Sequence, residues 1–119
     1  MSAVKGTIKS TDEITVFFTR AKRIQKDSFT ALVQTQDGKR GLTGRVAYVA
    51  GKRLGNAPLR SRAKRRLREA ARLCQVPWAG FDVVFVAKRN TTTSSFESTL
   101  KDMRALQKEL TEAQEQGER

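Results

Sequence analysis

Seven cations crowd into thirteen residues: Arg60, Arg62, Lys64, Arg65, Arg66, Arg68 and Arg72. Side chains of this kind at this density bind polyanions. Each guanidinium is a planar fork of donors that matches phosphate geometry, and each ammonium adds a point charge. Lys39, Arg40, Arg45, Lys52 and Arg53 lie just upstream, so the window 39–72 holds twelve cations against one acid, Glu69. It carries +11 of the chain's net +12, which leaves +1 for the other 85 residues. Charge packed so densely repels itself, and a folded domain tolerates it best with a polyanion against it. Nucleic acid is the partner class this implies.

Catalytic chemistry has little to draw on. The chain has no histidine, which removes the commonest general base, the Ser–His and Cys–His pairs and most zinc sites. Asp12, Glu13, Asp27, Asp37 and Asp82 are scattered, and the last six acids run from Glu97 to Glu118 on or beyond one predicted helix. No pair has the spacing of a two-metal nuclease. Cys74 is the sole cysteine; it excludes an internal disulfide and suits a reducing cytoplasm. It follows a helical run of apolar positions and reads as a small core residue. No apolar run reaches the ~18 residues of a membrane span, and MSAVKGTIKSTDE lacks a signal-peptide pattern. The expectation is one RNA-binding domain over 1–119, with an ordered core of about 8–110 and a polar, frayed tail over 111–119.

The elements that must position these cations follow from periodicity. Residues 11–23 read as a helix with Ile14, Phe17 and Phe18 on one face and Arg20, Lys22 and Arg23 at its end. Residues 28–36 alternate as a strand, and Asp37-Gly38 signals a hairpin to a return strand over about Lys39–Ala50, with Gly41 and Gly44 marking a bulge. Asn56 is placed to cap a helix over Ala57–Leu73, with Pro58 tolerated in its first turn. Leu59, Ala63, Leu67, Ala70 and Cys74 form its buried stripe, and Arg60, Lys64 and Arg68 form one cationic row. Residues 81–87, FDVVFVA, are continuously apolar, which predicts a central strand covered on both faces. Ser94 with Glu97 predicts a capping box, followed by a helix whose stripe is Phe96, Leu100, Met103, Leu106 and Leu110. The fold class expected is α+β, in the order α-β-β-α-β-α, with about three helices packed on a mixed sheet of four-stranded type.

Three signals bear on ligands. GKRLGN, residues 51–56, has glycines before a helix N-terminus but lacks the spacing of a nucleotide-binding loop, so a backbone contact to RNA phosphate fits better. Phe17 and Phe18 read either as core or as a platform for bases, and Tyr48 and Trp78 read either as partial core or as stacking partners for bases. The basic helix has no Asn or Gln among its arginines, which favours recognition of backbone and shape over base reading.

Residues 51–72, GKRLGNAPLRSRAKRRLREAAR, closely resemble the signature of the bacterial ribonuclease P protein subunit, roughly K-[KR]-x-G-N-A-x-x-R-N-R-x-K-R-x-x-R. Lys52, Arg53, Gly55, Asn56, Ala57, Arg60, Arg62, Lys64, Arg65 and Arg68 match it. FDVVFVAKR at 81–89 and an aromatic first helix before Phe29 also look like that family, over about residues 8–110. There are departures: Ser61 stands where the family has asparagine, Pro58 replaces an aliphatic residue, and Ile14 replaces an aromatic.

The resemblance implies a non-catalytic chain that partners a catalytic RNA. That RNA uses Mg²⁺ to remove the 5′ leader of precursor tRNA, and the metal is held mainly by the RNA. It implies one protein per RNA, no membrane, a left-handed strand–helix–strand crossover, and RNA contact by the matched residues together with Ser61. It also implies a leader cleft between the first helix and the sheet, for which Phe18, Phe29, Leu32 and Lys88 are the candidates. A ribosomal or general RNA-binding protein without a processing role is the alternative, and a stand-alone nuclease is disfavoured by the missing histidine and scattered acids.

Overall fold

The computed structural model describes residues 11–35 and 44–117. In chain order the elements are α1 (Thr11–Arg20), β1 (Lys22–Gln25), β2 (Phe29–Thr35), β3 (Arg45–Val49), a 3₁₀ turn (Lys52–Leu54), α2 (Ala57–Leu73), β4 (Phe81–Ala87), α3 (Arg89–Thr93) and α4 (Phe96–Gly117). The strands make one mixed sheet in the order β1-β2-β4-β3. β1 pairs with β2 and β2 with β4, both antiparallel, while β3 pairs with β4 in parallel. The fold is the expected α+β domain with a four-stranded mixed sheet.

Side chains alternate cleanly between the two faces of the sheet. Phe29, Ala31 and Val33 of β2, Val46 of β3, and Phe81, Val83 and Phe85 of β4 point to one side. There they meet Leu67, Ala70, Ala71 and Cys74 of α2, and Met103, Leu106 and Leu110 of α4. The alanines keep α2 slim, so its backbone sits close to the strands. Leu32, Ala47 and Val84 point to the other side, where Ile14 of α1 and Ala21 cover them in part. Among the described residues this second layer is smaller than the first, and Phe18 on α1 stays 42% exposed.

Four expectations are corrected. β3 does not pair with β2 as a hairpin would require: β4 lies between them. β4 is buried along most of its length and takes the centre because both its faces are apolar; a direct β2–β3 pair would push it to an edge. Asp37-Gly38 itself and Gly41 lie outside the described residues. The first helix stops at Arg20, which keeps its place in the last turn, while Lys22 and Arg23, expected to end the helix with it, begin β1. That strand is short, charged and at the edge, as edge strands commonly are. A separate short helix, α3, precedes the last helix, where Ser95 rather than Ser94 caps: its Oγ accepts from the Ser98 N–H at 3.1 Å. That last helix does not stop at Leu110 but runs to Gly117, so most of the tail expected to fray is helical.

Two polar clamps lock the sheet. Asp82 is 7% exposed and accepts from the Arg45 N–H at 3.0 Å and from its guanidinium at 3.0 Å, which sets where β3 begins against β4. At the opposite end the β1–β2 turn is tied down from far along the chain. Asp102 accepts from the N–H and hydroxyl of Ser28, Thr91 donates to the Ser28 carbonyl, and Asn90 donates to that of Asp27.

Candidate nucleic-acid interface

The basic helix begins as its sequence predicts. Asn56 Oδ1 accepts the Leu59 N–H at 3.0 Å, and Pro58 occupies the first turn where no donor is missed. Gly55 just before has φ 142°, a conformation open to glycine and strained for other residues. The loop is therefore shaped by its glycine, and the helix N-terminus by its asparagine. Asn56→Ala is expected to cost about 1 kcal/mol of stability, measured as a shift in the chemical denaturation midpoint; an unshifted midpoint would remove the cap from the account.

A helix turns about 100° per residue, so α2 sorts its cations by direction. Ala63, Leu67, Ala70 and Ala71 face the core. Arg60, Lys64 and Arg68 climb one flank, beside β3. Arg62 and Arg66 climb the other, toward the α3–α4 junction. Ser61, Arg65 and Arg72 point outward and are exposed.

The cations also differ in what already holds them. The Arg66 guanidinium donates to the Ser94 carbonyl and ties α2 to that junction. Arg72 pairs with Glu69 one turn back; the hydrogen bond holds the Glu69 carboxyl below its usual range and pushes the guanidinium further up. Arg62, Lys64, Arg65 and Arg68 have no hydrogen bond or ion pair among the described residues. The Cys74 thiol, at the end of the helix, is pushed up by burial, as befits a core residue and not a nucleophile.

A cleft of about 520 Å³ opens between the 3₁₀ turn and the C-terminal end of β4, lined by Gly51, Lys52, Arg53, Leu54, Val86, Ala87, Lys88 and Arg89. It joins two candidate sets, the Lys52-Arg53 pair and Lys88. Lys88 is partly engaged, since its ammonium donates to the Lys26 carbonyl and lies near the Gln25 side chain. Arg89 is exposed at the same rim. It was not among the expected site residues, although the Lys-Arg pair ending an apolar strand was its visible signal.

The four leader candidates do not share a surface. Phe18 and Leu32 belong to the α1 side, though Leu32 is 1% exposed. Phe29 is 0% exposed, points to the opposite face and packs edge-on against Phe85 at 5.4 Å. It is core and presents nothing to a ligand. Its place in a pattern of strict alternation puts it with Ala31 and Val33, away from α1.

The donors near Ser61 do not suit a protein-held Mg²⁺. That ion needs oxygen ligands, usually carboxylates, and Ser61 sits among arginines; among the described residues no three acids or cysteines gather as a metal site. No helix among them is long and apolar enough to cross a membrane.

Comparison with known proteins points one way. A family model described as Ribonuclease P matches residues 3–111. The ribonuclease P protein component of Ruegeria pomeroyi is 36% identical over 94 residues, spanning 76% of this chain and 75% of that protein. That of Caulobacter vibrioides is 45% identical over 64 residues, or 52% of this chain and 43% of that one. Among solved structures, the Staphylococcus aureus RNase P protein aligns with a TM-score of 0.71 at 17% identity, over 87% of this chain and 93% of that chain. The RNase P protein from Thermotoga maritima aligns at 0.68 and 22%, over 84% and 93%. At such identities the structural likeness speaks for the fold alone.

Proposed function

Because this chain belongs to the ribonuclease P protein family, we propose that it is the protein subunit of a ribonuclease P. In this role it binds the catalytic RNA and the 5′ leader of precursor tRNA and assists Mg²⁺-dependent removal of the leader. The observation that carries this reading is the set of unengaged cations on α2. Arg62, Lys64, Arg65 and Arg68 have no acceptor among the described residues, and Arg60 lies in the same row as Lys64 and Arg68. These five are the proposed contacts to RNA phosphates. Gly55, Asn56 and Ala57 are proposed to bring the helix N-terminus, the positive end of its dipole, to the same polyanion. Ser61 lies on the outward face between these arginines and is proposed to touch RNA through its hydroxyl, not to ligate metal.

The leader is proposed to run past exposed Phe18 on the α1 side and into the cationic cleft. Lys52, Arg53 and Arg89 offer charge there, and Lys88 braces the rim. The chemistry of hydrolysis is supplied by metal ions held on the RNA. What this chain contributes is position and charge neutralisation, which lets two polyanions approach at lower Mg²⁺. One protein is proposed to act per RNA.

The test is precursor-tRNA cleavage by a bacterial ribonuclease P RNA at low Mg²⁺, with and without this chain. Cleavage is expected at Mg²⁺ concentrations where the RNA alone is idle, and none by the chain alone. Cleavage by rigorously RNA-free protein would overturn the non-catalytic role. Tight RNA binding without any change in Mg²⁺ requirement would favour a general RNA-binding protein instead.

A further inference from the structure

We propose that Tyr48 is a positioning residue for Arg68, its ring face holding the guanidinium in place while leaving every N–H donor free for an RNA phosphate. The proposal rests on the reading of α2 as the RNA-binding helix. The Arg68 guanidinium carbon lies 5.4 Å from the centroid of the Tyr48 ring, inside the ~6 Å range of cation–π attraction. The ring is itself braced. It stacks on Phe85 at 5.8 Å with 14° between the planes. Phe85 is 0% exposed and is held edge-on by Phe29 at 5.4 Å and Trp78 at 6.4 Å. The platform under Arg68 is thus continuous with the core, although Arg68 is exposed.

The contrast with its neighbours gives this arrangement its meaning. Arg66 and Arg72 are also held, but by a carbonyl and a carboxylate that occupy their donors. A π face occupies none. Arg68 is therefore ordered before RNA arrives, which lowers the entropy cost of ordering it at binding. Burial pushes the Tyr48 phenol up to about 12, although the Arg68 charge works against this, so the ring stays neutral at working pH.

Tyr48 is the only tyrosine in the chain, which makes the test direct. Full-length Tyr48→Leu, Tyr48→Phe, Arg68→Ala and the Tyr48→Leu/Arg68→Ala double variant are titrated with a bacterial ribonuclease P RNA. Tyr48→Leu is expected to weaken binding about two- to fivefold, the cation–π range expressed as affinity. Tyr48→Phe keeps the ring face and should bind as the parent does. In the Arg68→Ala background, Tyr48→Leu should cost nothing further. In the free protein, Arg68→Ala should shift the ring resonances of the single tyrosine.

Parental affinity for Tyr48→Leu would overturn the proposal. So would an equal loss with and without Arg68, because that marks a general packing effect. Failure of the underlying reading looks different: Arg68→Ala would also be silent, and the parent's affinity would not depend on salt.

Discussion

Affinity for ribonuclease P RNA is expected to fall by about 10³–10⁵ between 50 and 200 mM salt. That is the loss for a protein neutralising about 6–10 phosphates, each contact releasing bound counterions. Lys52, Arg53, Arg60, Arg62, Lys64, Arg65, Arg68 and Arg89 are eight candidates of the right kind, within that range. Arg65 points outward and is unengaged among the described residues, so Arg65→Ala should lower the salt slope by about one contact and weaken all RNA sequences alike. Arg72→Ala should change the slope less, because Glu69 already pairs with that guanidinium. Filter binding across the salt series measures both. Near-constant affinity would mean that the charge on α2 is not the binding surface.

The unequal standing of these arginines could not be read from sequence. Periodicity alone placed the helix at Ala57–Leu73, its buried stripe and its Asn56 cap, because those depend on neighbours three and four residues away. It placed β4 just as well, since a continuous run of β-branched and aromatic residues has few other homes. Arg72 is held by Glu69 only one turn back, but what holds Arg66 and Arg68 is a matter of distant partners. Ser94 is 28 residues from Arg66, and Tyr48 comes from a strand on the far side of a loop from Arg68.

Strand order was illegible for a related reason. Asp37-Gly38 is a local signal for a turn, but pairing is decided by which strand needs cover on both faces, and β4 lies more than forty residues further on. The same holds for the leader candidates. Alternation along β2 shows that Phe29 and Leu32 face opposite ways, yet only the placement of α1 shows which of those faces it covers. Nothing local in the sequence ties Arg89, at the end of β4, to the Lys52–Leu54 turn across the cleft.

Gly44→Ala is expected to destabilise the domain by about 3 kcal/mol or more, the upper range for forcing atoms into a packed site. A domain of this size has only about 5–15 kcal/mol in total. A Cβ at Gly44 would stand 2.1 Å from the carbonyl oxygens of both Phe81 and Trp78. Both are backbone atoms, so no side-chain rotation relieves the clash; the strand itself must move. Gly44 directly precedes β3, where the Arg45 N–H and guanidinium reach Asp82 and the parallel register starts at Arg45↔Asp82. Pushing β3 outward breaks that clamp first. It then loosens Tyr48, and with it the seat of Arg68, so RNA binding should fall along with stability. The sequence reading of a bulge at this glycine anticipated an exception, but the cause is close backbone approach.

Gly51→Ala is the matched control. Its Cβ would meet nothing within 4 Å, and its φ of −75° suits any residue. It should stay within about 0.5 kcal/mol of the parent. Denaturation curves for the two variants read the difference, and equal midpoints would show that β3 does not lie as close to the Trp78–Phe81 turn as described.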